Sequence, residues 1–154
     1  MILNIRRMKD TDIDNVYSIE ISAHVAPWSK EILRDCVLVG YDCRVLEINH
    51  GDNPILGGYI ISRISDDTCH VLNFCIARPL QSKGLGRKLL QTVLYSLSKF
   101  THIQSVVLEV RPSNSAALHL YQTMGFEPVE LKKEYYKDAK GCEDAILFKK
   151  NLNV

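Results

Sequence analysis

The sequence lacks the features that mark several common classes of protein. Its five cysteines form no C-x-x-C pair and are odd in number, which argues against a zinc site and a complete disulfide framework. No apolar run approaches the roughly 18 residues of a membrane helix, and the N-terminus has no signal-peptide core. We therefore expect reduced thiols, no metal, no membrane association and a cytoplasmic location.

An excess of charge of one sign is also missing. The chain has 19 Lys and Arg against 18 Asp and Glu, for a net charge of +1, and these residues are scattered. Direct binding of nucleic acid is not expected, because it requires a clustered basic face. The length of 154 residues suits one domain, so residues 1–154 are predicted to form a single domain.

Strand and helix patterns alternate along the chain, which predicts an α/β protein with a mixed sheet. Helices are expected after the N-cap residues Thr11 and Ser29, after a glycine turn near residue 84, and over 114–124, where Gly125 follows as a stop. Between the second and third helices we expect a three-strand meander. The predicted strands are 2–6, 44–48, 56–64, 69–76, 105–111, 129–133 and 145–149.

The glycine turn QSKGLG, residues 81–86, precedes a strongly amphipathic helix. It fits neither the dinucleotide-binding G-x-G-x-x-G pattern nor the P-loop. Glycines at a helix start let the backbone approach a ligand, and the free N–H groups there bind anions. The turn could therefore hold a pyrophosphate, or it could be a plain strand-to-helix connection. Its neighbouring cations are Lys83, Arg87 and Lys88, and the apolar stripe of the helix is Leu85, Leu89, Val93, Leu94 and Leu97.

A single acid, Glu109, interrupts the apolar strand SVVLEVR. Burial of a carboxylate is costly and raises its pKa, which would make Glu109 a candidate general base. The alternative is an ion pair, with Arg111 two residues on along the same face as the expected partner. The residues alone leave both readings open.

Asn114 and Tyr121 lie seven residues apart, on one face of the last predicted helix. Both could belong to a binding site. The residues alone favour the structural readings, in which Asn114 is only the N-cap of the helix and Tyr121 is a core residue.

Together these features resemble the GNAT superfamily of N-acetyltransferases, whose acetyl-CoA motif is Arg/Gln-x-x-Gly-x-Gly/Ala. The likeness is closer to the RimI type, the ribosomal-protein alanine N-acetyltransferases, and extends over about residues 2–148. It rests on IEISAHVAPWS, LNFCI, the turn QSKGLG, LEVRPSNSAALHLYQTMGF and YYKDAKGCEDAILF. The resemblance implies a single N-acetyltransferase domain with the GNAT fold, a mixed central sheet of about seven strands flanked by about four helices.

The resemblance also implies a set of site residues. Glu109 would be the general base and Tyr121 the general acid, in direct transfer within a ternary complex. Acetyl-CoA would be held by a bulged, exposed strand edge, by the glycine turn and by the last helix. The implied cofactor contacts are Phe74, Cys75, Ile76, Ser82, Lys83, Gly84, Leu85, Gly86, Arg87 and Asn114, and the implied substrate contacts are Pro27, Trp28, Tyr135 and Tyr136, with the two tyrosines on the loop before the last strand.

Three functions follow as hypotheses. The first is acetylation of the α-amine of a protein N-terminus, most of all the N-terminal alanine of a small-subunit ribosomal protein. The second is acetylation of a small-molecule amine or a lysine on the same scaffold. The third is a non-catalytic module that binds acyl-CoA or the ribosome, and the presence of both Glu109 and Tyr121 argues against it.

Overall fold

The computed structural model describes residues 2–100 and 102–152, and at His50 the backbone alone. Contacts divide the chain into two compact units. The first comprises Met1–Arg63 and Asn73–Leu97, and the second comprises Ile64–Leu72 and Ser98–Val154. Two strands, residues 53–65 and residues 68–76, contribute residues to both.

The first unit begins with a strand, two helices and a meander. Its elements are β1 (Ile2–Arg7), a 3-10 turn (Asp10–Asp12), α1 (Ile13–Ala23), α2 (Lys30–Leu38), β2 (Asp42–His50), β3 (Asn53–Ser65), the end of β4 (Thr68–Ile76), a second 3-10 turn (Arg78–Leu80) and α3 (Leu85–Leu97). Strands β1, β2 and β3 pair antiparallel, with a register shift at Leu46/Glu47. Met8, Ile13, Val16, Leu33, Val45 and Tyr59 are among the residues of its buried core.

The second unit contains the start of β4, β5 (Ser105–Val110), α4 (Ser115–Thr123), β6 (Glu127–Asp138) and β7 (Gly141–Asn151). β4 pairs parallel to β5 over Thr68–Val71. β5 then pairs antiparallel with β7, and β7 with β6. The apolar residues buried in this unit include Val106, Leu108, Val110, Phe126 and Phe148.

The seven strands of the described residues follow the order β1-β2-β3-β4-β5-β7-β6. Because β4 and β5 pair parallel, whereas β1–β2, β2–β3, β5–β7 and β6–β7 pair antiparallel, this is a mixed sheet. The helices α1–α4 accompany it. The expected fold class, the meander β2-β3-β4 and the N-cap at Ser29 are thereby confirmed. Ser29 Oγ accepts a hydrogen bond from the N–H of Ile32 at 3.2 Å.

Three local predictions were wrong. Thr11 is not the N-cap of α1, because it lies inside a 3-10 turn over Asp10–Asp12. Asp12, the last residue of that turn, occupies the N-cap position. In α3, Leu90 is buried, whereas Leu94 is only half-buried. The last two strands are longer than expected, and they place Tyr135 and Tyr136 within β6 rather than on a loop.

Candidate active site

The glycine turn ends at the N-terminus of α3, as the sequence predicted. Gln81 fixes its start, because the side-chain amide donates to the carbonyl oxygen of Ile76 at 2.8 Å. Ser82 and Gly84 both have a left-handed backbone, with φ of 65° and 80°. Ser82, Lys83 and Gly84 are exposed, so the backbone N–H groups at this helix start lie at the surface of the unit.

The expected cofactor contacts in this turn are of two kinds. Leu85 is 3% exposed and packs into the core, so its side chain is not available to a ligand and only its backbone is. Lys83 is exposed and Arg87 is half-buried, so both can add positive charge at the helix start.

The end of β4 lies very close to β3. A Cβ on Gly58 would lie 2.7 Å from the carbonyl oxygen of Cys75, so only glycine fits there. The N–H of Ala77 donates to the carbonyl oxygen of Gly57 at 2.8 Å. Cys75 is buried in the core of the first unit, and burial raises its pKa to about 11. A cofactor contact at Cys75 would therefore use its backbone.

Glu109 on β5 has two side-chain partners in the second unit, one from β4 and one from β6. Its Oε2 lies 2.7 Å from His70 Nε2 of β4, and its Oε1 accepts from Lys132 Nζ of β6 at 3.0 Å. The side chain of Glu109 is 9% exposed. The predicted partner Arg111 was wrong, since Arg111 pairs with Asp138 at 3.3 Å and Glu143 at 3.2 Å.

The electrostatics of Glu109 also differ from the expectation. Burial raises its pKa, but the hydrogen bonds from His70 and Lys132 and their charges outweigh burial, so the pKa lies below the usual glutamate value. The same contact with Glu109 raises the pKa of Lys132. Glu109 is thus an anion held by two donors, rather than a carboxyl kept neutral by an apolar site.

An irregular segment of β6 positions Tyr135 and Tyr136. Lys132 pairs with Ala145 and Tyr136 with Glu143, so β6 carries two more residues than β7 over this stretch. Such a bulge breaks the alternation of side chains. The two tyrosine rings meet edge to face, with centroids 5.0 Å apart.

Cations lie over both rings. Lys132 Nζ is 5.4 Å from the Tyr135 centroid, and the Arg111 guanidinium carbon is 4.2 Å from the Tyr136 centroid. Burial raises the pKa of Tyr136 to about 12, so its hydroxyl remains protonated at neutral pH. Through Lys132, this aromatic segment is linked to Glu109.

Asn114 and Tyr121 occupy the two ends of α4. Asn114 is the N-cap, and its Oδ1 accepts from the N–H of Ala117 at 3.1 Å, as the structural alternative predicted. Tyr121 is 8% exposed, and its ring packs against Phe126 and Phe148 with centroids 5.8 and 6.3 Å away. Both structural roles are present, and neither excludes a contact with ligand through the Asn114 amide nitrogen or the Tyr121 hydroxyl.

The Pro27–Trp28 segment between α1 and α2 is fixed by a buried acid, Glu20. Glu20 is 2% exposed, and its Oε2 accepts from the backbone N–H of Trp28 at 2.9 Å. Its Oε1 accepts from Asn73 Nδ2 at 2.8 Å and from the hydroxyl of Tyr59. This carboxylate therefore connects the segment to the core of the first unit.

Sequence reasoning missed Glu20, His70 and Lys132 as parts of these arrangements. A signal existed for Glu20, because it follows Ile13 and Val16 on the apolar stripe of α1. His70 and Lys132 gave no comparable signal. They lie 39 and 23 residues from Glu109 in the chain, and only the strand pairing brings them together.

Comparison with known proteins decides the family. The model of the acetyltransferase (GNAT) family matches residues 13–126. The chain belongs to this family. It is accordingly an N-acetyltransferase that uses acetyl-CoA. The residues of the glycine turn fit this cosubstrate, because exposed N–H groups and two cations at a helix start suit its pyrophosphate.

Individual relatives agree with the family. The chain is 32% identical to the [ribosomal protein bS18]-alanine N-acetyltransferase of Escherichia coli (strain K12) over 143 residues, 93% of each chain. It is also 32% identical to a putative enzyme of the same name from Bacillus subtilis (strain 168), over 97% of this chain and 95% of the relative. The crystal structure of the E. coli enzyme superposes with a TM-score of 0.88 at 29% identity, covering 99% of this chain and 96% of the other.

The fold extends to more distant enzymes. Arabidopsis thaliana NAA60 in complex with acetyl-CoA has a TM-score of 0.91 at 16% identity, covering 99% of this chain and all of the other. Within residues 2–100 and 102–152, no group of three or more His, Cys, Asp or Glu side chains could hold a metal ion. Over the same residues, the helices are too short or too polar to cross a membrane.

Proposed function

We propose that this N-acetyltransferase acts on the α-amine of a protein N-terminus, and specifically on the N-terminal alanine of ribosomal protein bS18. The observation that supports this most is the relationship to enzymes of that name, with 32% identity over 93% of both chains. Because its substrate would be a ribosomal protein, we place the enzyme in the cytoplasm. Direct transfer from acetyl-CoA to the amine in a ternary complex is part of the proposal.

We assign the cofactor contacts as follows. The pyrophosphate binds to the backbone of Ser82–Arg87 at the start of α3, where the helix dipole and Lys83 and Arg87 favour an anion. Pantetheine lies along the backbone of Phe74, Cys75 and Ile76 as an added strand. Asn114 contacts the cofactor through the side-chain amide that remains after capping α4.

The catalytic groups are Glu109 and Tyr121. The ammonium of the substrate must lose a proton before its nitrogen can attack the thioester carbon, and Glu109 provides the base. When the tetrahedral intermediate collapses, the sulfur leaves as a thiolate, and the hydroxyl of Tyr121 stabilises it by hydrogen bonding. Both groups are fixed before substrate arrives, Glu109 by two donors and Tyr121 by its aromatic neighbours.

Pro27 and Trp28 in the first unit and Tyr135 and Tyr136 in the second are the proposed contacts of the substrate peptide. All four belong to segments fixed by specific contacts, the first by Glu20 and the second by cations over the rings. Such contacts suit a peptide better than a small amine, since a peptide offers a backbone and side chains to bind.

The chemistry of the amine also favours an N-terminus over a lysine. An α-amine has a pKa of about 7.7–8.0, so roughly 10–20% of it is neutral at pH 7. A lysine, with a pKa of about 10.4, is neutral in well under ~0.1% of molecules at that pH. An α-amine therefore requires less deprotonation by the enzyme than a lysine does.

Mass spectrometry tests the proposal. Peptides that begin with the first residues of bS18 are incubated with the enzyme and acetyl-CoA, beside a matched peptide whose α-amine is blocked and which carries one internal lysine. We expect one added acetyl group on the free N-terminus and none on the blocked peptide. Acetylation of the lysine or of polyamines, with the N-terminal alanine untouched, would refute the assignment.

A further inference from the structure

Each turnover of the proposed reaction has to deliver one proton to solvent. The ammonium nitrogen of the substrate loses two protons as it becomes an amide. One of them ends on the sulfur of coenzyme A, and the other must leave the enzyme. The path of this second proton is not explained by Glu109 alone, because its side chain is only 9% exposed.

Glu109 is also a poor final holder of a proton. Its Oε2 is engaged by His70 Nε2 and its Oε1 by Lys132 Nζ, and these two donors lower its pKa. An ordinary glutamate has a pKa of about 4.3 against about 7.7–8.0 for the substrate amine. Leaving the proton on this carboxylate would therefore be strongly uphill.

The two partners of Glu109 differ in their ability to accept a proton. Lys132 is an ammonium whose pKa is raised by Glu109, so it has no lone pair to offer near neutral pH. His70 has a second ring nitrogen, and histidine is the side chain that ordinarily changes charge between pH 5 and 8. The His70 side chain is 25% exposed, which gives it contact with solvent that Glu109 lacks.

We propose that His70 and Glu109 act as one base, in which the imidazole of His70 holds the proton that the substrate ammonium loses. This proposal rests on the proposed acetyl transfer. The neutral ring donates its Nε2–H to the Glu109 carboxylate, so the free lone pair is on Nδ1. A water passes the ammonium proton to Nδ1, which leaves a neutral amine and an imidazolium, and the imidazolium later releases the proton to solvent.

Glu109 has a defined role in this pair. It sets the tautomer through the 2.7 Å contact to Nε2, and its charge compensates the imidazolium that forms. Among the described residues of the second unit, Lys132 is the other titratable group that acts on Glu109, while burial and the charge of Glu109 raise the pKa of Tyr135 and of Tyr136. His70 is thus the group that takes up the proton and Glu109 the group that positions it, and within residues 2–100 and 102–152 the hydrogen bond of the His70 ring is the one between Nε2 and Glu109.

The direct test is His70→Gln in the full-length enzyme. Glutamine keeps an N–H donor for Glu109 but cannot take up a proton. We expect kcat with an alanine-initiated peptide to fall by roughly 10²-fold or more at pH 7, the lower end for a lost acid–base group, while KM for acetyl-CoA stays within about twofold. His102→Gln is the matched control, because His102 is exposed and its ring contact is with Phe100, and it should behave as wild type.

The pH dependence separates this role from packing. In the ratio of variant to wild-type kcat/KM, the titration of the substrate amine cancels. The deficit should vary with pH, because only the wild type has an imidazole at this position that can take up a proton. Raising the concentration of an imidazole buffer should speed the variant and leave the wild type unchanged. A deficit equal at all pH values and insensitive to imidazole would overturn the proposal.

A measurement on the wild type covers the case in which the variant does not fold. Nitrogen-15 NMR of the histidine rings should show neutral His70 with its hydrogen on Nε2, and a hydrogen on Nδ1 would contradict the model. The outcomes also separate the two proposals. An inactive wild type with all alanine-initiated peptides refutes the proposed function, whereas an active wild type matched by His70→Gln refutes only the paired base.

Discussion

Glu20 of α1 accepts a hydrogen bond from the backbone N–H of Trp28, eight residues later, at 2.9 Å. The segment between α1 and α2 is thereby attached to a carboxylate that is 2% exposed. Glu20 also accepts from Tyr59 and Asn73, so three donors converge on its two oxygens. Such a set of donors compensates the desolvation of a buried carboxylate. Replacing the carboxylate would leave buried donors without an acceptor, which lowers stability.

We predict that Glu20→Gln loosens the Pro27–Trp28 segment. The NH₂ group of the new glutamine would face N–H and O–H donors that the carboxylate now accepts from, and two donors cannot pair with each other. The free energy of unfolding should therefore fall by about 1–3 kcal/mol. KM for the peptide should rise while the affinity for acetyl-CoA is kept. Chemical denaturation and steady-state kinetics measure the two effects.

The matched control for that variant is Glu31→Gln on α2, which is exposed. It should change stability by less than about 0.5 kcal/mol, as exposed substitutions usually do. An unchanged KM for peptide in a folded Glu20→Gln enzyme would mean that Trp28 does not contact the substrate.

The glycine turn allows a second matched comparison. Gly84 has φ of 80° and a Cβ there would meet no atom within 4 Å, and the same holds for Gly40, with φ of 86°, in the turn after α2. Alanine at either position should cost about 1–2 kcal/mol of backbone strain. Only Gly84→Ala should also weaken acetyl-CoA binding, by tenfold or more, because only that backbone cradles the pyrophosphate.

Isothermal titration calorimetry with acetyl-CoA decides this comparison. Equal affinities in Gly84→Ala and Gly40→Ala would show that the turn is a structural connection and not a phosphate cradle. Because both variants carry the same backbone strain, a general loss of stability cannot produce the expected difference.

The lowered pKa of Glu109 predicts a specific pH dependence of stability. A carboxylate whose folded pKa is depressed stabilises the protein above the unfolded value of about 4.3, and this contribution disappears as pH falls through the folded pKa. Glu109→Gln should therefore lower the unfolding free energy by about 1–3 kcal/mol at pH 7. Its difference from wild type should shrink below about pH 4.

Thermal denaturation at several pH values measures that difference. Glu127→Gln serves as control, since Glu127 is an exposed residue of β6, and its difference from wild type should be small at every pH. If Glu109→Gln lost the same free energy of unfolding at pH 3 as at pH 7, the contacts of Glu109 with His70 and Lys132 would not be ionic in solution.

The sequence predicted local features well because each has a local physical cause. The apolar spacing of α3, the hydroxyl of Ser29 at the start of α2 and the glycine after α4 all act within a few residues. The position of Glu109 in a buried strand could likewise be read from its apolar neighbours. Element order and the alternation of patterns were enough for the fold class.

The contacts around Glu109 could not be predicted, because they depend on which strands lie side by side. Arg111 was the nearest cation in the sequence, but the hairpin of β6 and β7 offers it Asp138 and Glu143 instead. The family resemblance implied a loop position for Tyr135 and Tyr136, whereas both lie in β6, at a bulge where extra residues break the two-residue period. Non-local pairing and a bulge leave little trace in a single sequence.

Tyr121 provides the last prediction, on the step in which coenzyme A leaves. A thiol has a pKa of about 8.5 and a tyrosine about 10, so full proton transfer from an ordinary tyrosine would be uphill by roughly 2 kcal/mol. A hydrogen bond to the departing sulfur is sufficient to stabilise it. Tyr121→Phe retains the ring that packs against Phe126 and Phe148, so the fold should persist.

We expect Tyr121→Phe to lower kcat by roughly 10²-fold, with acetyl-CoA affinity nearly unchanged, because the hydrogen bond matters mostly in the transition state. Tyr95→Phe on the exposed face of α3 should leave kcat unaltered. An acetyl thioester of a more acidic thiol needs less help to leave, so the deficit of Tyr121→Phe should shrink with that donor. An equal deficit with both donors would instead mean that the hydroxyl orients the cofactor before reaction, since orientation does not depend on the basicity of the leaving sulfur.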